Sequence, residues 1–145
     1  MSFLKSLDIS GSGLTAQKLR MDIIAQNIAN AGTTRTENGG PYRRKTVVLT
    51  SRSTRPDFRK ELADAIKSSP AGVRVKTVVE DTSPLVPVYE PTHPDADADG
   101  YVMMPNVNTA QEMIDMLAAS RAYESNITAL NALKAMALKA LEIGK

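Results

Sequence analysis

The residues with the clearest capacity for chemistry lie in one acidic stretch, Asp95–Gly100, whose sequence is DADADG. Alternating carboxylates followed by glycine match the first half of an EF-hand loop, which binds Ca²⁺. The twelfth loop position is Asn106, however, where an EF-hand has a bidentate glutamate, and two prolines upstream prevent an entering helix. The Asp95–Asn106 loop therefore allows two interpretations: a calcium-responsive binding module, or an exposed acidic turn that leads into a strand over residues 101–104.

The single histidine of the sequence, His93, precedes this stretch. Beside three aspartates it could be a metal ligand or the base of a small enzyme, whereas a solvated loop residue is the simpler interpretation. The sequence contains no P-loop and no glycine-rich phosphate cradle after a strand, and its lack of cysteine excludes disulfides and thiolate chemistry. We therefore predict a protein that is not an enzyme, with no catalytic residue, no metal site and no cofactor.

The overall composition argues against further classes of protein. A net charge of +2 with dispersed basic residues does not provide the concentrated basic face of a nucleic-acid-binding protein. No segment has the roughly 18–20 apolar residues of a membrane span, and residues 1–8 lack the features of a secretory signal peptide. We expect no nucleic-acid partner, no small-molecule substrate and, if the protein is exported, a route without a cleavable signal peptide.

The N-terminal segment, about 2–31, is predicted to be helical. Apolar residues recur every seven positions in it, at Leu7, Leu14, Met21 and Ile28. Gly11 and Gly13 weaken the first two turns, so a helix that starts later, capped by Ser10 or Ser12, is an alternative. Gly32 is expected to end the helix by adopting a left-handed conformation.

The C-terminal segment, 109–143, gives the strongest helix prediction. Thr109 and Glu112 match a capping box, and no glycine or proline follows until Gly144. A seam with three-and-four spacing runs along the segment, and three leucines broaden it. The seam positions are Met113, Met116, Ser120, Tyr123, Ile127, Leu130, Lys134, Ala137 and Leu141, and the broadening residues are Leu117, Leu133 and Leu138. A helix of this length extends about 50 Å, which is longer than a compact domain of this size can cover.

The middle of the chain is poor in helix signals and holds all eight prolines. Residues 42–50 and 73–79 are predicted strands, the second because valines alternate with polar residues. Between them, 58–68 could form a short helix or a mobile loop. After Asp81 the density of prolines favours an extended, loop-like path.

The apolar seams of the two terminal helices exceed what so small a middle region can cover. Each large apolar side chain left in water forfeits about 1.5–3 kcal/mol relative to full burial, so the remainder is best buried against other chains. The predicted fold class is α+β, with long terminal helices paired as a coiled-coil-like inner layer and a small β-rich, loop-rich middle. We predict a discontinuous helical core over 1–32 and 108–145 and an outer domain over 33–107.

Four asparagines within the two helical segments allow two interpretations. Asn30 could cap its helix while Asn27, Asn126 and Asn131 lie on the surface, or all four could fix the register between subunits through inter-helix hydrogen bonds. We predict that subunit contacts are made by seam residues, apolar or asparagine. They are Leu14, Met21, Ile24, Asn27, Ile28, Asn30, Met113, Met116, Tyr123, Asn126, Ile127, Leu130, Asn131, Leu138 and Leu141.

The two ends also resemble a known family. Residues 12–33, SGLTAQKLRMDIIAQNIANAGT, resemble the N-terminal signature of bacterial flagellar rod and hook proteins. Residues 120–143, SRAYESNITALNALKAMALKALEI, resemble the C-terminal signature of that family. Residues 93–108, HPDADADGYVMMPNVN, are similar in particular to subunits of the proximal rod. Gln26 departs from the family pattern, and the resemblance is weak over 34–91.

The resemblance implies a structural role. Proteins of this family are exported unfolded through the flagellar type III secretion apparatus and polymerise into the rod, the torque-transmitting drive shaft that crosses the periplasm. Their terminal helices pack as a paired inner layer around a central channel. The implied partners are other copies of the chain, other rod subunits, the export apparatus and basal-body ring components, and the implied location is the basal body of the flagellum.

Overall fold

The computed structural model of the protein describes residues 3–37, 39–52 and 72–143. Helix α1 spans Phe3–Ala29 and helix α2 spans Thr109–Ile143. Four strands lie between them: β1 (Lys45–Ser51), β2 (Val73–Glu80), β3 (Val86–Tyr89) and β4 (Tyr101–Met104). They form two sheets of two strands each, β1–β2 and β3–β4. The predicted α+β class is confirmed.

Helix α1 runs unbroken through its two glycines, so the alternative of a later start is wrong. The hydroxyl of Ser12 does not cap a helix; it donates to the Ile9 carbonyl and accepts from the amide of Val73. Packing explains the glycine at position 13, because a Cβ there would lie 3.3 Å from the side-chain amide of Asn126 in α2. The glycine therefore permits a close approach of the two helices, which outweighs its low helix propensity.

The end of α1 also differs from the prediction. The helix stops at Ala29, and Gly32 is not among the glycines with positive φ, which in the described chain are Gly39, Gly72 and Gly100. The side-chain amide of Asn30 donates at 2.8 Å to the Gln26 carbonyl, which also accepts the backbone amide of Asn30 at 3.0 Å. A backbone turn, in which the Ala31 amide donates to the Ile28 carbonyl at 3.3 Å, and not a left-handed glycine, closes this terminus.

Helix α2 has the predicted bounds, but the capping box is wrong. Asn108 is the N-cap: its side-chain oxygen accepts from the amides of Ala110 and Gln111 at 3.1 and 3.2 Å. Glu112 does not reach back to the helix start. Its side chain is 1% exposed and points into the protein, where two other residues bind it.

The strands extend the prediction for the middle of the chain. The strand predicted over 42–50 begins three residues later, at Lys45, and β2 matches the strand predicted over 73–79 to within one residue. Backbone bonds from Asp81 to Arg44 and from Arg52 to Gly72 show that β1 and β2 are antiparallel. The short helix or loop predicted over 58–68 lies outside the described residues.

Strand β3 was not predicted, because its proline argued for a loop. It pairs with β4 in antiparallel register, Pro87 opposite Met103 and Tyr89 opposite Tyr101. The amide of Glu90 donates to the Gly100 carbonyl, so Glu90 and Gly100 form a hydrogen-bonded pair. In an antiparallel ladder every second pair is hydrogen-bonded, so Pro87 is in a non-hydrogen-bonded pair and its nitrogen faces away from β4. The proline therefore costs no ladder hydrogen bond.

Two compact units make up the chain. One contains residues 1–19, 48–77 and 120–145, and the other contains residues 20–47 and 78–119. In the second unit, Arg20 lies beside Asp115 and Asn27 beside Glu112, so α1 and α2 run antiparallel there. Within the described residues, neither helix is long and apolar enough to cross a membrane.

Candidate functional site

A buried polar network centred on Asn27 joins α1 to α2 and β1. Asn27 is 1% exposed, and its amide makes every hydrogen bond that it can make. The nitrogen donates to the Lys45 carbonyl and to Glu112 Oε2, both at 2.9 Å. The oxygen accepts from the Lys45 amide at 2.9 Å and from the Tyr42 hydroxyl at 3.0 Å. The surface position considered for Asn27 is therefore wrong.

Glu112 carries the charge of this network. Its second oxygen accepts from Arg44 Nε at 2.6 Å, a charge-assisted hydrogen bond that compensates the burial of the carboxylate. Arg44 also lies 3.6 Å from Asp115, which is 3.8 Å from Arg20 of α1. A buried pair adds little net stability over an apolar one, but removing one partner costs about 3–5 kcal/mol because the other charge is left uncompensated. The network thus fixes which residues of the helices face each other.

Asn106 extends the network to the loops that precede β3 and α2. Its side-chain oxygen accepts from the Arg44 amide at 2.9 Å, and its nitrogen donates to the carbonyls of Asp81 and Ser83. The position that lacks the EF-hand glutamate therefore has a structural role. Hydrogen bonds from the Ser83 hydroxyl and amide lower the pKa of Asp81, and the charges of Arg44 and Arg43 lower it further.

Tyr42 closes the network on the β1 side. Its ring is buried and its hydroxyl donates to Asn27. Burial raises the pKa of the phenol, and the carboxylates of Glu80 and Glu112 raise it further. The tyrosine is therefore held as a neutral hydrogen-bond donor, which suits a structural contact and not proton transfer near neutral pH.

The acidic loop is used for internal contacts. Asp95 accepts from the Thr34 hydroxyl at 2.8 Å and lies 3.8 Å from Arg35. Gly100 has φ +80 and a Cβ there would lie 2.9 Å from the Tyr89 ring, so the glycine of the EF-hand-like pattern serves the turn into β4. In the described ranges, no three His, Asp or Glu side chains are grouped so as to hold a metal ion. The acidic turn leading into a strand is the interpretation that this geometry supports.

His93 belongs to the same turn. Its Nδ1 accepts from the backbone amide of Asp95 at 3.1 Å, and its own amide donates to the Glu90 carbonyl. The Nδ1 atom of His93 is thus engaged in shaping the loop.

The predicted contact residues of α1 lie mostly towards the interior. Ile24 is buried like Asn27, while Leu14, Met21, Ile28 and Asn30 are half-buried. Residues with this burial serve first to pack the chain itself.

The predicted contact residues of α2 divide into two groups. Met116, Tyr123, Asn126 and Leu130 are half-buried. The remaining five are exposed: Met113, Ile127, Asn131, Leu138 and Leu141. The exposed group presents the larger accessible surface for contacts with other molecules.

The predicted contact residues leave out two exposed apolar residues of α2, of which Leu117 belongs to the predicted apolar stripe and Ile114 does not. Ile114 and Leu117 are 60% and 61% exposed and lie beside Met113 on the first turns of the helix. Ile114 lies off the predicted seam, so periodicity could not identify it. An apolar residue outside an otherwise consistent stripe was the available signal for a second contact surface.

Comparisons with known proteins identify the family. The model of the family described as "Flagella basal body rod protein" matches residues 7–35, and the model described as "Flagellar basal body rod FlgEFG protein C-terminal" matches residues 98–143. The flagellar basal-body rod protein FlgC of Bacillus subtilis is 47% identical, over 100% of both chains. The protein of that name from Borreliella burgdorferi is 44% identical, over 99% of this chain and 98% of its own length. The one from Salmonella typhimurium is 42% identical, over 100% of both. The chain therefore belongs to the flagellar basal-body rod protein FlgC family and is a structural subunit of the flagellar rod.

Proposed function

We propose that the chain is a non-catalytic building block that polymerises through exposed apolar residues of its terminal helices, joining other copies of itself and other rod subunits. The observation that carries this proposal is the exposed apolar surface of α2, on which Leu117 is 61% and Leu141 72% exposed. Burying each such side chain contributes about 1.5–3 kcal/mol, so a few of them across an interface favour assembly strongly.

The same proposal assigns roles to the parts of the chain in the rod. Residues 1–32 and 108–145 form the axial core, as a layer around the channel, and residues 33–107 form the outer part. The contacts of Leu14, Met21, Ile28 and the other predicted seam residues that are exposed or half-buried belong to this proposal. Family membership supports it, together with the exposed apolar residues of α2.

We further propose that the subunit reaches the periplasm through the flagellar type III export apparatus, without a cleavable signal peptide, and meets basal-body ring components there. Its relation to rod proteins supports this route. Intact mass spectrometry of the subunit from purified basal bodies is the test. A mass that includes the N-terminal segment 2–8 is expected, and a subunit shortened by a signal-peptide length would contradict the proposal.

The assembly role is tested with Leu117→Asp, because this side chain is exposed and the change should leave the fold intact. Ser125→Asp is the matched control, since it places the same charge on an exposed polar position of α2. Cells producing each variant in place of the parent chain are scored for swimming and for rods in isolated basal bodies.

Leu117→Asp is expected to abolish or strongly reduce rods while its far-UV circular dichroism stays that of the parent, and Ser125→Asp is expected to assemble. Normal rods and swimming with Leu117→Asp, and likewise with Leu141→Asp, would contradict assembly through the exposed face of α2. Loss with Ser125→Asp alone would place the contact on the polar side.

A further inference from the structure

The β3–β4 hairpin has an outer face that is apolar although it is exposed. Pairs directly opposite each other point to one side of a sheet, so the register places Tyr89, Tyr101, Pro87 and Met103 on one face. Tyr89 is 63% exposed, and Tyr101 and Met103 are each 46% exposed. The other face includes Val102, which is 1% exposed and packs inwards. We call the four residues Pro87, Tyr89, Tyr101 and Met103 the hairpin face.

Two properties make the hairpin face suited to binding. The rings of Tyr89 and Tyr101 pack edge to face with centroids 5.3 Å apart, which presents a rigid aromatic surface at little entropic cost. Its border is acidic, because Glu90, Asp97 and Asp99 are exposed and none of them forms an ion pair with another described residue. A partner should therefore combine apolar side chains with a cation.

The C-terminal half of α2 has those properties. Ile127, Lys134, Leu138 and Leu141 follow a spacing of seven, four and three residues, which places them on one side of the helix. All four are exposed, with Leu138 at 54% and Leu141 at 72%. Lys134, in the middle of this group, has no ion pair within the described part of the chain, unlike Lys139, which pairs with Glu142 at 2.8 Å. We call these four residues the α2 stripe.

We propose that the α2 stripe of one copy docks on the hairpin face of a second copy, with the Lys134 ammonium over the tyrosine pair and near the acidic border. An ammonium is attracted both by the faces of aromatic rings and by carboxylates. Ile127 and Leu138, which lie on either side of Lys134 in the α2 stripe, meet the rings and Met103. The contact joins two different surfaces, and such heterologous contacts propagate into rings or open helical assemblies and not into two-fold dimers. This inference rests on the proposed function as a rod subunit.

Cross-linking in purified basal bodies tests the contact directly. The sequence has no cysteine, so substituted positions provide the only thiols of the subunit. Cells produce two tagged forms together, one with Tyr89→Cys and one with Leu138→Cys, and the basal bodies are treated with a short flexible bis-maleimide. The matched control replaces Tyr89→Cys by Lys76→Cys, another exposed strand position.

We expect a covalent dimer containing both tags for the Tyr89 and Leu138 pair, at least several times more abundant than for the control pair. Complete rods without that dimer, or with equal dimer in both pairs, would overturn the contact. A cross-link from Leu138→Cys to a different rod subunit instead would overturn its assignment to a second copy. Absence of the unsubstituted tagged chain from basal bodies would refute the proposed function itself.

A charge exchange keeps the proposal testable if the cysteine forms do not assemble. Lys134→Glu should reduce the number of rods per cell roughly tenfold or more, since it places like charges against the acidic border. Combining it with Asp99→Lys should restore most of them, whereas Lys139→Glu, off the stripe, should have little effect. A double variant no better than Lys134→Glu alone would overturn the contact.

Discussion

Replacing Asn27 by alanine should destabilise the subunit more than any other single asparagine change. The Asn27 amide makes four hydrogen bonds, two to the backbone of Lys45, one to Tyr42 and one to Glu112. At a net contribution of about 1 kcal/mol each, Asn27→Ala should lower the free energy of unfolding by about 4 kcal/mol. For a chain of this size that corresponds to a fall in Tm of about 8–16 °C.

The assay is thermal and denaturant unfolding of the purified subunit, followed by far-UV circular dichroism. Asn131→Ala is the matched control, because Asn131 is exposed on α2 and the same change there should alter the free energy of unfolding by no more than about 0.5 kcal/mol. Hydrogen exchange of the Lys45 amide gives a second measurement, since that amide donates to Asn27 Oδ1 at 2.9 Å and should exchange faster in the variant.

The reasoning would be refuted if Asn27→Ala lowered the free energy of unfolding by less than about 1 kcal/mol, or by no more than Asn131→Ala does. Either result would mean that water or a rearranged side chain replaces the amide at little cost, and that the network does not fix the helix pair.

Three further predictions concern single positions. Gly72→Ala should lower the free energy of unfolding, measured by denaturant titration, by about 1–3 kcal/mol, because Gly72 has φ +111 and a Cβ there would collide with Ser12 Oγ. Gly11→Ala is the control: position 11 has open space within α1, so the change should stabilise the folded chain. The raised pKa of Tyr42 means that the unfolded chain ionises first, so stability should fall as pH rises above about 10, and Tyr42→Phe should lose less between neutral and alkaline pH. The lowered pKa of Asp81 gives stability that is present above pH 4 and lost as pH falls through the folded-state pKa. The free energy of unfolding of Asp81→Asn should therefore depend less on pH in acid than that of the parent chain. Equal dependence on pH in the two chains would contradict the Ser83 contacts.

The helices were predictable because a long segment with helical apolar spacing indicates both its own secondary structure and the face that packs against the rest of the chain. The bounds of α2 followed from the apolar spacing and from the absence of glycine and proline. The capping box failed for a physical reason. Glu112 has the right spacing to Thr109 for a capping box. In the folded chain, however, its carboxylate accepts a charge-assisted hydrogen bond from Arg44 and a buried one from the Asn27 amide, and these are stronger than a bond to the backbone at the helix start.

The network and the hairpin were not predictable in the same way. Asn27 looks like any polar residue of a helix, and its burial depends on a strand that begins 18 residues later and on a glutamate 85 residues away. Pro87 argued against a strand because its compatibility depends on register, which only the pairing with β4 defines. Likewise, which apolar residues of α2 remain exposed depends on which face of the helix packs against the rest of the chain.

The central claim, that this chain is a structural subunit of the rod, is tested most directly by deleting its coding sequence and imaging isolated basal bodies by electron microscopy. The account predicts basal bodies that lack a complete rod and cells that do not swim, with both restored by the parent chain and not by Leu117→Asp. Complete rods in the deletion strain would contradict it.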